Sequence, residues 1–428
     1  MSGADHRARG AAQFRAGCLA FGSCLAFAIA APAFAQPADE GPVGVADRAR
    51  PQYDPIGEKL GALLIHPQIR ASVEHTDNVF ATENNKQADT FVQVSPKVTV
   101  ETNWPRHMLS ASAQGQFSRY DEFKSEDTDA WSVSAAGRLD VTRDFNLKFN
   151  VGHDDQVEGR TTAVYVLTPL EPVTFTRDTA SVGFSKTFNK LRASGSVSIA
   201  SYDYDDTRDI IGDILDQSYR NRDETQARLR LAYAVSPKSA FFVEGAVIKH
   251  NYDTPAIIGG SRNSKGYSML VGVEGELTRL VHGEASIGLV HYDFANPAYS
   301  DVDNFNYKVQ LEWYPTELLT VGLTGTQALY DTPLPITPGY IYQSLKLNAD
   351  YELRRNLILS GSLQAAKEDY QGIPRTDKRY GASVGARYLL ARGVGVTVRY
   401  DHEQRDTSGL LAAGFRDNTV GLGVSLER

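Results

Sequence analysis

Five histidines, His75, His153, His250, His291 and His402, each stand within a few residues of a carboxylate. With a nearby Ser or Asp, such residues could start general-base or nucleophilic hydrolysis. Their spacing argues against it. His75, His153, His291 and His402 fall on the same alternate-residue set as Val73, Val151, Leu289 and Tyr400, and only His250 falls on the opposite set. Side chains spread around the outside of a wall cannot converge on one substrate. No nucleotide-binding loop, zinc-ligand spacing or nucleophile elbow is present, so no catalytic, cofactor or metal residue is assigned. Gly421-Leu422-Gly423 sits inside an alternating run and reads as strand.

The second candidate set is ionic. Arg70, Glu74, Arg138, Arg192, Arg228, Arg230, Glu244, Glu274, Glu276, Lys308, Glu312, Arg387 and Arg399 all occupy the polar alternate positions of their runs. If that face encloses water, these residues line it and set a field for ions or sugar acids. They would equally serve as a salt-bridged, solvated wall, since each such pair is weak by itself.

The elements that must position them are strands. Phe305, Tyr307, Val309, Leu311 and Trp313 alternate with Asn306, Lys308, Gln310 and Glu312. Val420, Leu422, Val424 and Leu426 alternate with Gly421, Gly423, Ser425 and Glu427. Period 2 gives each strand one apolar and one polar face. About 18 such runs (16 is the smaller reading) lie near 63–77, 90–102, 108–121, 128–142, 145–158, 175–188, 191–205, 222–235, 240–253, 265–278, 283–294, 303–314, 319–331, 340–353, 357–370, 377–390, 394–405 and 416–428. Most exceed the five or six residues of an ordinary strand, whereas a tilted membrane strand needs about 9–11 within the hydrocarbon. Links after even-numbered runs are short, as at Arg143-Asp144 and Asn189-Lys190; those after odd-numbered runs are longer and acidic. Sorting the links this way puts tight turns on one rim and loops on the other. That is the plan of an antiparallel transmembrane β-barrel with short periplasmic turns. Lipid offers no hydrogen bonds, so the sheet must close. At this strand number the bore is too wide for wall side chains to fill, and water is expected inside. Aromatics near strand ends, among them Tyr120, Tyr202, Tyr204, Tyr292, Phe294, Trp313, Tyr314, Tyr330, Tyr370 and Tyr400, read as interfacial girdles.

Composition agrees. The 428 residues carry 44 Lys+Arg against 52 Asp+Glu, a formal net charge of −8, and no basic run, which argues against nucleic acid. Residues 1–35 read as a signal peptide: Arg7, Arg9 and Arg15, then an apolar stretch, then Ala33-Phe34-Ala35 before Gln36. Both cysteines, Cys18 and Cys24, fall inside it, so the processed chain has no disulfide. Residues 36–60 form a Pro- and Gly-rich periplasmic linker, read as a tether with a plug as the alternative, and 61–428 form the barrel. No outer loop exceeds about 16 residues, so no long infolded constriction loop is evident.

The segment Arg50-Pro51-Gln52-Tyr53-Asp54-Pro55-Ile56-Gly57, then Pro67, Asp77-Asn78-Val79-Phe80, Asp89-Thr90 and Val94-Ser95-Pro96, resembles the alphaproteobacterial outer-membrane barrels called putative β-barrel porins. The match is clearest over 48–142. Members of that family are considered alongside exopolysaccharide production and export. The resemblance implies an outer-membrane location, with lipid and lipopolysaccharide as surroundings and a polysaccharide or small hydrophilic solute as cargo. The expected function is a porin-like passive channel. An exopolysaccharide-export barrel and a non-conducting structural or surface-binding barrel are the alternatives. One departure stands out: such barrels commonly end on an aromatic residue, and this chain ends Ser425-Leu426-Glu427-Arg428.

Overall fold

A computed structural model gives the fold and describes residues 42–161, 168–256, 260–411 and 413–428. The predicted leader, with Cys18 and Cys24, lies outside the described residues, as do linker residues 36–41.

Alternation became strand nearly residue for residue. The wall strands are β1 (Leu63–Thr76), β2 (Asp89–Thr102), β3 (Met108–Tyr120), β4 (Thr128–Thr142), β5 (Phe145–Val157), β6 (Thr174–Phe188), β7 (Leu191–Tyr204), β8 (Arg222–Ala234) and β9 (Ser239–Tyr252). They continue as β10 (Ser264–Thr278), β11 (Val281–Phe294), β12 (Val302–Thr316), β13 (Leu319–Tyr330), β14 (Tyr340–Arg354), β15 (Leu357–Tyr370), β16 (Arg375–Ala391), β17 (Val394–Gly409) and β18 (Phe415–Glu427). Each pairs antiparallel with the next, and β1 pairs with β18 from Gln68↔Glu427 to Thr76↔Thr419, which closes the barrel. Closure pairs the ring of strands throughout except along the outer part of β12. A short strand, Glu58–Leu60, folds back on the start of β1.

Tight turns such as Arg143-Asp144 and Asn189-Lys190 join the strands at one end, with Asn189 in the left-handed region (φ 53°), as two-residue hairpins favour. Register shifts sit beside these turns at the ends of β4, β10, β12, β14 and β16. Along most strands one face is open and apolar: Leu289 is 68 % exposed, Val182 58 % and Leu422 55 %. No protein covers these groups, and acyl chains supply the cover.

The other face departs from a water-filled bore. Toward the loop end it is packed solid. Arg375, Asp377, Arg379, Glu403 and Arg405 are buried there, with Tyr204, Tyr292, Phe294, Tyr370 and Phe415. Aromatics expected in a girdle therefore point inward. By strand parity Tyr120, Tyr202, Tyr204, Tyr292, Phe294, Tyr314, Tyr330 and Tyr370 share the face opposite Val197, Leu289 and Leu363, whereas Trp313 and Tyr400 do face lipid. The physical reason is that several short loops fold into the mouth and need an apolar core of their own. A constriction thus exists without any single long loop. The loop after β5 reaches across the bore: Arg379 on β16 donates to the Thr161 carbonyl, and Arg160 pairs with Glu126 beyond β3 at 2.6 Å.

The wall has one fork. The β12–β13 ladder runs from Thr316↔Leu319 only as far as Lys308↔Thr326. Above it, among the described residues, Val302–Tyr307 pairs with β11 alone, although β13 and β14 continue paired to Tyr330↔Tyr340. The outer ends of β13 and β14 have moved inside. Leu329 and Ile341, which lie on the lipid-facing parity of Leu345 and Leu347, pack instead against Val290, Tyr292 and Val302, whose side chains point inward from β11 and β12.

Residues 42–57 do not hang free as a tether. Val45 is fully buried against Ile358 and Leu389, and its N–H donates to Thr320 Oγ1 at 2.8 Å. Arg50 pairs with Glu352 at 2.8 Å. These partners lie on inward faces of β13–β16 at the turn end. Gly393 (φ 68°) donates its N–H to the Tyr53 carbonyl, and a Cβ there would sit 1.8 Å from the Glu427 carbonyl.

Candidate functional site

The inward charges open to the bore form two groups, Arg192, Arg228 and Lys308 on β7–β12 and Arg70, Arg387 and Arg399 around the β1–β18 seam, and the first belongs to the larger network. Arg230 is the hub. Its guanidinium bonds Glu244 at 2.6 Å, Glu274 at 2.9 Å and Glu284 at 2.8 Å, and stacks 4.0 Å from the Phe242 ring centroid. Arg192 also pairs with Glu274, Lys308 meets Glu284 at 2.5 Å, and Arg228 meets Glu244 at 3.3 Å. Arg230 on β8 and Glu284 on β11 are three strand spacings apart, roughly 14 Å along the wall. Side chains spanning that arc can meet only on the concave side, where they converge, so the network faces inward.

Four basic and three acidic groups make the network, so it carries one excess positive charge. Arg192, Arg228 and Lys308 each keep about a third of their side chains exposed. They are solvated and able to meet an anion, whereas Arg230 is held by three carboxylates and serves as the brace. Beside them, Lys238 pairs with Glu276 at 3.2 Å.

Sequence parity placed all thirteen candidate residues on this face, and the structure divides them. Arg192, Arg228, Arg230, Glu244, Glu274 and Lys308 form one network, with Glu276 at its flank. Arg70 and Arg387 share Glu427 at 3.9 and 3.0 Å, and Arg399 pairs with Glu74 at 3.2 Å, around the closing seam. Arg138 pairs with Asp140 at 3.1 Å, apart from the rest, and Glu312 accepts from the Tyr314 hydroxyl. Glu427 was outside the candidate set because it lies beside the chain end, and Phe242 because an inward aromatic gives no ionic signal.

A second network, at the loop end, was not foreseen at all. Asp331, just beyond β13, receives three guanidiniums: Arg262 at 3.1 Å, Arg220 at 3.2 Å and Arg222 at 3.5 Å. Tyr252 donates to the same carboxylate at 3.2 Å. Arg220 also pairs with Glu158 at 2.8 Å, and its guanidinium lies 3.8 Å from the Tyr204 ring centroid. All of these groups are buried. The three positive charges hold the Asp331 carboxyl far below the usual carboxylate range, and burial pushes the Tyr219 phenol up to about 12. The cluster rivets the loops after β5, β7, β9 and β13 into one lid. Glu158, Arg220, Arg262 and Asp331 sit in loops without periodicity and Arg222, Tyr204 and Tyr252 at strand ends, so no sequence signal linked them.

The five histidines lie apart around the wall. The Nδ1 atoms of His75, His153, His291 and His402 each contact the residue directly across the strand pair, at 2.9, 2.7, 2.8 and 2.8 Å. Inward-facing His250 contacts Ser264 at 2.9 Å. They do not converge. Among the described residues no group of three or more His, Cys, Asp or Glu could hold a metal.

The family model Putative beta-barrel porin 2 matches residues 50–428. The chain belongs to this family. It is a porin-like barrel of the outer membrane. Among similar solved structures are OccK2 (OpdF) of Pseudomonas aeruginosa (11 % identity, 86 % of this chain and 98 % of that one, TM-score 0.46) and a BenF-like porin of Pseudomonas fluorescens Pf-5 (10 %, 86 % and 100 %, 0.43). The siderophore receptor PirA of Acinetobacter baumannii is similar at 7 % identity, over 85 % of this chain and 80 % of that one, with TM-score 0.46. No curated protein matches the sequence.

The motif residues that carried the resemblance act as staples at the two rims. Asn78 donates to the Thr82 and Arg416 carbonyls, and Asp77 accepts from Asn418, which ties the first outer loop to β18. Asp89 accepts from the Glu122 and Phe123 N–H groups.

Proposed function

We propose that the barrel is a non-enzymatic conduit for small hydrophilic solutes, and that the Arg230 network selects among them by charge. The observation that carries this reading is the exposure of Arg192, Arg228 and Lys308 to the bore beside a fixed triad of carboxylates. A solute passing there exchanges hydration for contact with these groups, with no bond made or broken. The excess positive charge favours anions.

A second transport reading is export of polysaccharide, as the exopolysaccharide-associated alphaproteobacterial barrels that the sequence resembles imply. Tyr330, Tyr340 and Tyr342 favour it: they are half-buried inward rings, with the Tyr330 centroid 6.0 and 5.1 Å from the other two, and they offer sugar rings a stacking face. The riveted lid favours a non-conducting structural barrel instead. On the outside, His153 with Asp178 and His291 with Asp303 stand at the level where lipopolysaccharide headgroups would meet the wall.

Conductance of the full chain in planar bilayers, with swelling of liposomes in small sugars, tests the reading. Ion current with a mild anion preference is expected. A correctly folded barrel that passes neither ions nor sugars at any voltage returns the structural reading.

A further inference from the structure

We propose that the outer end of the β13–β14 hairpin, residues 327–343, is a gate. It swings between its infolded position and one in which it completes the wall against β12, and Asp331 latches the infolded position. The proposal rests on the conduit reading and names how that conduit is regulated.

The fork in the wall carries the argument. Carrying the β12–β13 register past Lys308↔Thr326 would set Tyr307 against Gln327, Phe305 against Leu329 and Asp303 against Asp331. The ladder stops short of these pairs. In its place the Gln327 side chain donates to the Phe305 carbonyl, and the Tyr307 hydroxyl donates to the Ser344 carbonyl at 3.1 Å. The edge of Val302–Tyr307 is thus left with side-chain partners where a backbone ladder is available. In a membrane wall an unpaired edge is costly, so a fully paired alternative is close in energy.

Sequence pattern suits both positions. Leu329 and Ile341 keep the lipid-facing parity of their strands, so they would meet acyl chains when the hairpin lies in the wall. Infolded, they are covered by Val290, Tyr292 and Val302, and Ile341 is only 2 % exposed. The same face also carries Gln327 and Gln343, which hydrogen-bond each other at 2.9 Å, and in the wall this polar pair would meet lipid, a cost that favours the infolded position.

The latch accounts for the bias toward infolding. Infolded, Asp331 meets three guanidiniums and the Tyr252 hydroxyl. Further along the same loop, Arg262 donates to the Thr332 carbonyl at 2.9 Å and Tyr219 donates to the Pro333 carbonyl. In the wall, Asp331 would lie directly opposite Asp303, a like-charge pair that strands disfavour. Each position carries its own cost, and the guanidinium cluster decides between them.

The test is a cysteine pair, Phe305→Cys with Leu329→Cys, in full chain carrying C18S and C24S and assembled in the outer membrane. Peptide mapping reads disulfide formation after oxidation, and bilayer recordings read conductance before and after reductant. Heat-modifiable migration on a gel verifies that each barrel is folded. The expected result is a disulfide that holds the channel in a high-conductance state until it is reduced. Asp331→Asn should raise the open-to-closed ratio by about tenfold or more, since it leaves a guanidinium cluster without its carboxylate. If the unmodified barrel conducts and the pair never oxidises, or oxidises without changing conductance, the gate is wrong and the conduit stands. If no folded form passes ions, cross-linked or Asp331→Asn included, the conduit reading falls and the gate with it.

Discussion

The two halves of the bore use the same residue types to different ends. At the loop end Arg220, Arg375 and Asp377 have no exposed side-chain surface; at the turn end Arg192 is 38 % exposed and Lys308 31 %. Both halves hold Arg–carboxylate pairs at ordinary distances. What differs is the cover. Infolded loops exclude water above, where a broken pair leaves an uncompensated buried charge, while below, apart from Arg50–Glu352 under residues 42–57, water reaches Arg192, Arg228 and Lys308, screens their pairs and lets them face a solute. An inward charge is therefore a rivet or a selector according to what lies over it.

The sharpest way to break this distinction is Asp377→Asn. Arg375 would keep its bonds to the Leu410 and Leu411 carbonyls but lose its buried counter-charge. Urea unfolding in lipid vesicles should show a loss of about 3–5 kcal/mol, and Arg375→Met with Asp377→Leu should recover most of it. A loss below about 1 kcal/mol would mean the outer half is as wet as the inner one.

At the turn end, Arg192→Gln should do the reverse. Unfolding should change by less than about 1 kcal/mol, because the pair with Glu274 is solvated. Ion selectivity should move instead. Taking one positive charge from the network abolishes its excess, so the reversal potential in a salt gradient should shift toward cations. A large loss of stability with unchanged selectivity would make Arg192 a rivet too.

How much of this was legible follows from the same distinction. Period 2 gives strand edges within a few residues, as at β4 and β15, because lipid outside and polar groups inside act on every residue. Parity also placed Arg192, Glu274 and Lys308 on one face. It cannot say what covers that face. Tyr204, Tyr292 and Tyr370 sit among polar neighbours of inward parity, and their pattern already argued against a lipid girdle; the position near strand ends drew the wrong reading. Asp331, Arg262 and Glu158 come from loops far apart in sequence, and only the fold joins them. Leu329 and Ile341 keep lipid-facing parity while packed inside, and Gln327 and Gln343 on the same parity are the mark the infolded hairpin leaves on the sequence pattern. Val45 and Arg50 likewise look like linker residues until Glu352 and Ile358 stand beside them.

The smallest effect lies at the β4–β5 turn, where Asp144 is open to water. Asp144, between β4 and β5, accepts from Lys186 Nζ and Thr142 Oγ1, and these hydrogen bonds hold its carboxyl at about 2, below the ordinary 3.8. The native state thus favours the ionised form. Its stabilising contribution is fully present above about pH 4 and is lost as the pH falls through about 2. Asp144→Asn should therefore be slightly less stable than the natural chain at neutral pH and approach it only as the pH falls below about 2, with the difference at neutral pH shrinking in high salt. Asp331 gives the contrast within one molecule. Its three buried guanidiniums keep it ionised well below the pH that neutralises Asp144, so Asp331→Asn should stay destabilising to the lid under acid that has erased the Asp144 effect. Protease cleavage of the outer loops, followed against pH in both variants, reads the two separately. Parallel pH profiles would show that cover does not set the strength of these pairs.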